Sequence, residues 1–347
     1  MTHKGTIINL LLLLLLLMMM AANMLYGSVS IPANQVVKAV MGMELENDSW
    51  GYIIMESRLP QAITAMLCGA SLATAGLLLQ TSFRNPLAGP SILGITSGAS
   101  LGAALVILLL SGGFFASFAD ATNSDGSLLL GSSLSVTMGA FIGATAVILL
   151  LLALSRIVSG SLMLLIVGIM LSYLTSAVVS LLNFFAASEN VHNYVVWGLG
   201  SFSDVSMELL PWFAAINIIG IIIAITLIKP LNALLLGDDY ALNLGIDIRR
   251  THRTLLAATG ILTAICTAFC GPIAFIGLAV PHIARLITAS ANHAILLPAT
   301  ILCGACIALI CNLICVIPEN TIIPINAITP IFGAPVILYI ICKRVRS

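Results

Sequence analysis

Ten long apolar stretches separated by short polar segments account for most of this 347-residue chain. They run roughly over 6–26, 60–81, 91–111, 132–154, 161–185, 209–228, 251–270, 273–289, 294–316 and 325–342. Each is close to the ~20 residues that an α-helix needs to cross a hydrocarbon core about 30 Å thick. In lipid, backbone polar groups must be satisfied within their own segment, so these stretches are predicted to be helices. The pattern is that of an all-α polytopic membrane protein with one transmembrane domain over 1–347. The first stretch starts after Lys4, and Ala21-Ala22-Asn23 is a poor signal-cleavage site, so it is read as a retained span. The polar 27–57 segment is read as an external loop, with a short amphipathic helix from Asn34 to Met43.

Composition sharpens this picture. The chain is 60% hydrophobic and only 7% charged, and its formal net charge is zero. With the N-terminus inside and alternating spans, Lys4, Arg84, Arg156, Lys229, Arg249, Arg250, Arg253, Arg285, Lys343, Arg344 and Arg346 fall in the cytoplasm or at its edge. Only Lys38 and Arg58 of the thirteen bases fall outside, as the positive-inside rule requires. Among the acids, only Asp238, Asp239 and Asp247 are inside, so zero net charge hides a basic inner face and an acidic outer one. Both termini are placed in the cytoplasm. The eight cysteines all lie in or at the ends of apolar spans, where cysteine packs as a small hydrophobe. Small residues cluster at Gly69-Ala70-Ser71, Gly98-Ala99-Ser100 and Gly139 to Gly143. They let helices approach closely, and some could line a path instead.

Absent motifs exclude several functions. No Asp, Glu or Lys lies inside a span, which argues against a proton relay or a voltage sensor. There is no phosphate-cradling G-x-x-x-x-G-K-[ST] loop, so the chain does not hydrolyse ATP itself. H-E-x-x-H and G-x-S-x-G are missing as well. A translocation subunit powered by another protein remains. A sodium-coupled carrier working alone stays open, because backbone carbonyls can hold the ion. A membrane scaffold that transports nothing is the third reading.

Three segments carry more specific information. The first is Arg58-Leu59-Pro60-Gln61, followed by Gly69 to Ala73, Gly76, Gln80, and Arg84-Asn85-Pro86-Leu87-Ala88-Gly89-Pro90. The second runs from Leu236-Gly237-Asp238-Asp239-Tyr240-Ala241 to Leu244-Gly245-Ile246. The third is Gly271-Pro272-Ile273-Ala274-Phe275-Ile276-Gly277-Leu278-Ala279-Val280-Pro281-His282-Ile283-Ala284-Arg285. Together they closely resemble the FecCD family, the permease subunits of binding-protein-dependent ABC importers for ferric siderophores, haem and cobalamin. The resemblance runs from about residue 56 to 344.

The resemblance implies a ten-helix bundle like that of the cobalamin permeases, in a bacterial inner (plasma) membrane. It implies a homodimer of permeases with two cytoplasmic ATP-binding subunits and an extracytoplasmic substrate-binding protein. ATP and Mg would be bound by the partner subunit, and this chain would hold no cofactor and no metal. Membrane lipid is a further expected partner, and nucleic acid is not one.

Site residues follow in the same way. Asn85-Pro86 and Gly89-Pro90 dictate a non-helical inner turn. It is read either as a plain turn or, by resemblance, as a constriction at Leu87 facing the inner turn Ser159-Gly160. The inner loop 237–250 has acids first and bases last, which suits a helix dipole. It is either a solvated amphipathic helix or, by resemblance, a coupling helix seated in the ATPase. In the second case Tyr240, Ala241, Leu244 and Ile246 make the buried contact, Asp238 and Arg249 form its rim, Gly245 ends one short helix before the next, and Gly237 belongs to the same coupling segment. Outside, Arg58 is expected to be exposed and to dock the binding protein, with Lys38 assisting. Two departures stand out. Gln61 occupies the place of a second arginine, and Asn312-Leu313-Ile314-Cys315 lacks an acid and an arginine common in relatives. His282 is expected to hydrogen-bond at a helix end, and the exposed His192 is a weak ligand candidate.

Overall fold

The computed structural model describes residues 3–110, 128–158, 161–318 and 323–346, and the described residues contain helices and no strands. Helix α1 (His3–Leu25) is apolar all round, with Leu10, Leu11, Leu14 and Leu17 exposed as lipid contact requires. Helix α2 (Ala33–Val40) lies within the predicted external loop and buries Gln35, Val36 and Ala39. Helix α3 (Asp48–Tyr52), capped by the Asn47 side chain, runs through a π-helical turn at Ile53–Arg58 into α4 (Leu59–Ser82). Next come α5 (Ile95–Ala104), α6 (Leu128–Leu154), α7 (Ser161–Phe185) and the short α8 (Ser188–Gly198). A bent pair, α9 (Leu210–Thr226) and α10 (Ile228–Leu234), meets at 51° beside Lys229-Pro230. The chain continues through α11 (Asp238–Asn243), α12 (Ile248–Cys270), α13 (Ile276–Thr288), α14 (His293–Val316) and α15 (Ile325–Arg346).

Every predicted span overlaps one of these helices, although the one expected at 91–111 is α-helical only over Ile95–Ala104 and runs on as a π-helix over Leu105–Leu110. Six are long and apolar enough to cross a membrane alone, and the bent pair makes a seventh. Three more, over 95–108, 276–288 and 325–339, are apolar but short. One expectation needs correction. The span expected at 273–289 begins only at Ile276, because residues 271–275 are not helical. Such backbone is tolerated at membrane depth only when other groups satisfy it. Asn326 does so here: its Oδ1 accepts from Ala274 N at 3.1 Å, and its Nδ2 donates to Pro272 O and Gly198 O. Phe275 takes a left-handed backbone, φ +67, at this break.

Helix α4 is the hub, packed against α9, α12, α13 and α14. Lipid supplies no hydrophobic drive between helices, so close packing of small residues must hold the bundle. A Cβ on Gly69 would land on the Gly304 carbonyl, and one on Gly76 would land on the Gly277 carbonyl. The Gly98–Gly143 and Gly102–Gly139 pairs do the same for α5 against α6. Small residues in these stripes therefore close helix pairs. Seven of the eight cysteines are buried, and none is in a disulfide.

Candidate functional site: the coupling end and the opposite mouth

The end of the bundle that collects Arg84, α11 and the start of α12 holds most of the singled-out residues. Gly237, with φ +119, admits the chain to α11, whose first turn carries Asp238 and Asp239. Carboxylates there are favoured by the helix dipole. Gly245, with φ +79, ends this short helix, and Asp247 caps α12 by accepting from Arg250 N at 2.9 Å. The 237–250 stretch is thus two helices rather than one amphipathic helix. Its bases fall in the opening turns of α12, where the dipole opposes them, so the expected dipole match holds for the acids only.

Tyr240 (50% exposed), Leu242 (56%) and Leu244 (58%) form an apolar knob with no cover within the chain. Of the residues expected on this contact, Ala241 is instead buried against α10 and α12, and Ile246 packs on the same cluster. They hold the knob in place and are not part of its free surface. Leu242 takes their place, a residue that sequence reading missed because helix phase decides it. Asp238 pairs with Arg84, and Arg249 is exposed. Asp238 is therefore tied to the inner turn and is not a free rim charge.

Arg84 opens the turn that carries Leu87, so the ion pair joins the two features that the motifs pointed to. Both side chains are about half exposed, and such a pair contributes ~1 kcal/mol or less, enough to bias a position rather than fix it. The turn is shaped by Asn85, whose Oδ1 accepts from Leu87 N at 3.0 Å, while Leu87 itself is 40% exposed. Its base is held by α13. His282 Nε2 lies 2.7 Å from the Pro86 carbonyl, which can only accept, so Nε2 carries the proton. Nδ1 is then free to accept from Arg285 at 3.4 Å. Arg285 also donates to Gln80 Oε1 at 2.7 Å, and Gln80 donates to Leu278 O at 3.1 Å. The Pro-His-x-x-Arg string thus locks the Leu87 turn onto α4 and α13. Ser159 and Gly160 lie outside the described residues.

At the opposite mouth, Arg58 corrects an expectation. It is only 6% exposed, and its guanidinium donates to Met24 O at 2.8 Å, to Leu25 O at 3.0 Å and to Val29 O. These are carbonyls at and beyond the C-terminal end of α1, which a helix leaves unpaired and a cation satisfies well. Gly27 leaves the room, since a Cβ there would strike the guanidinium. An arginine committed in this way is not a free docking group. Lys38 on α2 is only partly exposed.

The two departures are in contact with each other. Gln61 Nε2 donates to Asn312 Oδ1 at 3.1 Å, and Asn312 Nδ2 donates to Asn23 Oδ1 at 2.8 Å. Three neutral amides thus bridge α1, α4 and α14 without any charge. On α8, His192 is exposed, and Tyr194 stacks on Trp197 with ring centroids 6.2 Å apart. No cluster of three or more metal-ligating side chains occurs among the described residues.

A helical bundle with small-residue contacts and up to seven helices long and apolar enough to cross a membrane is the architecture of a multi-pass membrane protein. The chain belongs to the FecCD transport family, which matches residues 12–343. It is 32% identical over 315 residues to the hemin transport system permease protein HmuU of Yersinia pestis, covering 86% of this chain and 85% of that one. It is 33% identical over 297 residues to the vitamin B12 import system permease protein BtuC of Vibrio cholerae, covering 84% and 83%. A molybdate import system permease protein, MolB of Haemophilus influenzae, is 32% identical over 296 residues, covering 85% of this chain and 82% of the other. A solved structure described as an inward-facing conformation of a metal-chelate type ABC transporter superposes with a TM-score of 0.81. It is 29% identical and covers 97% of this chain and 99% of that one. The chain is accordingly a permease subunit of the ABC-transporter kind, and the lone sodium-coupled carrier gains no support.

Proposed function

We propose that this chain is the membrane subunit of a binding-protein-dependent importer for a metal chelate, a ferric siderophore first, with haem and cobalamin as its neighbours in chemistry. Two of the three relatives named above carry large metal chelates, haemin and vitamin B12, while the third is a molybdate permease. Two copies pair in the membrane with both termini in the cytoplasm, and two ATP-binding subunits seat on the knob of Tyr240, Leu242 and Leu244. The observation that carries the reading is that this knob is apolar, uncovered and joined through Asp238–Arg84 to the Leu87 turn. Movement of α11 by the ATPase pulls on that turn and opens or closes the inner mouth. Ligand arrives from an extracytoplasmic binding protein and leaves into the cytoplasm.

The gate has its own test. Leu87→Cys on the remaining sequence should cross-link between two copies in at least one nucleotide state, because the turn is exposed and faces the dimer axis in this reading. A Cα separation that stays well beyond ~7 Å in every state forbids the disulfide and removes Leu87 from the gate.

A further inference from the structure

Beside α11 lies a cleft of about 320 Å³ whose rim carries Arg156, Arg249 and Arg253. Its floor is apolar, built from Phe83, Leu164 and Leu256. The one carboxylate on the lining, Asp238, is already matched by Arg84, in the only ion pair among the described residues. His252, also on the lining, is engaged with Ser82 at 2.7 Å. Three exposed arginines therefore line one cleft with no ion-pair partner among the described residues. Two of them stand in the opening turns of α12, where the helix dipole repels cations, so they do not serve that helix.

The cleft opens where α4, α6, α7 and α12 reach one end of the bundle. Ile157 and Met163, exposed and apolar, are chain neighbours of its lining residues Arg156, Val158 and Leu164. An apolar floor beneath a cationic rim at the level where apolar helix surface stops fits an anionic amphiphile. Basic pockets between transmembrane helices on the cytoplasmic side hold acidic lipid headgroups.

We infer that this cleft is a binding site for the phosphate headgroup of an anionic phospholipid. The Arg156, Arg249 and Arg253 guanidinium groups take the phosphate, and Leu164 and Leu256 meet the start of the acyl chains. The inference rests on the inner-side placement of this end in the proposed function, but its main readout, lipid retention by the chain alone, uses no partner subunit.

The purified full chain is placed in nanodiscs of phosphatidylglycerol or of phosphatidylcholine, and lipid retained on release is measured by native mass spectrometry. Phosphatidylglycerol should be retained and phosphatidylcholine should not. Each base near such a surface is worth somewhat under tenfold in anionic-lipid affinity, so Arg249→Gln with Arg253→Gln should lower retention roughly thirtyfold. Lys229→Gln with Arg250→Gln removes the same charge from exposed positions off the cleft and should leave retention near wild type.

Equal losses in the two pairs would reduce the effect to general surface charge and overturn the site. Equal retention of the two lipids by the wild type would overturn it as well. Displacement by millimolar inorganic phosphate would assign the cleft to a free phosphate instead. Unchanged lipid retention with loss of ATPase co-purification in the cleft pair would give the arginines to the ATPase. Failure of the ATPase to associate with wild-type chain counts against the proposed function alone and leaves the lipid result standing.

Discussion

Leu244→Asp should abolish transport while leaving the permease itself intact. Leu244 is exposed at the tip of the 237–250 segment, so a carboxylate there costs the isolated chain nothing. In the complex the same group would be buried without a partner, and removal of an anchor of this kind costs ~2 kcal/mol or more, tenfold to a hundredfold in affinity. The expected result is an unchanged thermal midpoint for the purified chain, loss of ATPase on co-purification, and loss of uptake. Tyr240→Asp should behave in the same way, whereas Ala241→Asp should unfold the segment, because Ala241 is fully buried. Wild-type ATPase recovery by the Leu244 variant would mean that the knob is not the coupling surface.

The second large effect lies at the centre of the bundle. Gly76→Ala adds one methyl group, and that methyl coincides with the Gly277 carbonyl at the start of α13. Backbone cannot give way as a flexible side chain can, so the helices must separate, at a cost of 1–3 kcal/mol or more. Since α13 also carries His282 and Arg285, the separation disturbs the Leu87 turn as well as stability. The thermal midpoint of the detergent-solubilised chain should drop by several degrees, with reduced yield. Gly198→Ala is the control, for no atom lies within 4 Å of a Cβ at that position. Matching midpoints for the two variants would show that the α4–α13 contact is looser than described.

Much of the fold was legible because a membrane imposes a length and a polarity on each element. The stretch 60–81 became Leu59–Ser82, and 294–316 became His293–Val316, each within a residue. Details set by distant partners were not legible. Arg58 reads as an exposed outer base until α1 brings its terminal carbonyls to it. Gln61 and Asn312 look like two separate departures from the family pattern, yet 251 residues of sequence separation hide a direct amide contact. The break at Gly271-Pro272 was legible, but its extension to Phe275 was masked by apolar composition, and Asn326, the residue that satisfies it, sits alone in another helix.

At the end that holds Arg84 and α11, Gly245 ends one short helix before the next, as the motifs suggested. Helix phase then decided which apolar side chains stay free, exchanging Ala241 and Ile246 for Leu242. The ion pair of Arg84 with Asp238 joins two motifs that sequence reading treated separately.

In the proposed function this permease moves a metal chelate only when a partner ATPase works on it. The direct measurement is uptake of an iron-labelled ferric siderophore into proteoliposomes. These hold the chain with its ATPase, and the binding protein is supplied on the opposite side. Accumulation should require ATP, stop when the ATPase is made hydrolysis-deficient, and be indifferent to a sodium gradient. Accumulation by the chain alone on a sodium gradient, without ATPase or ATP, would contradict the proposed function.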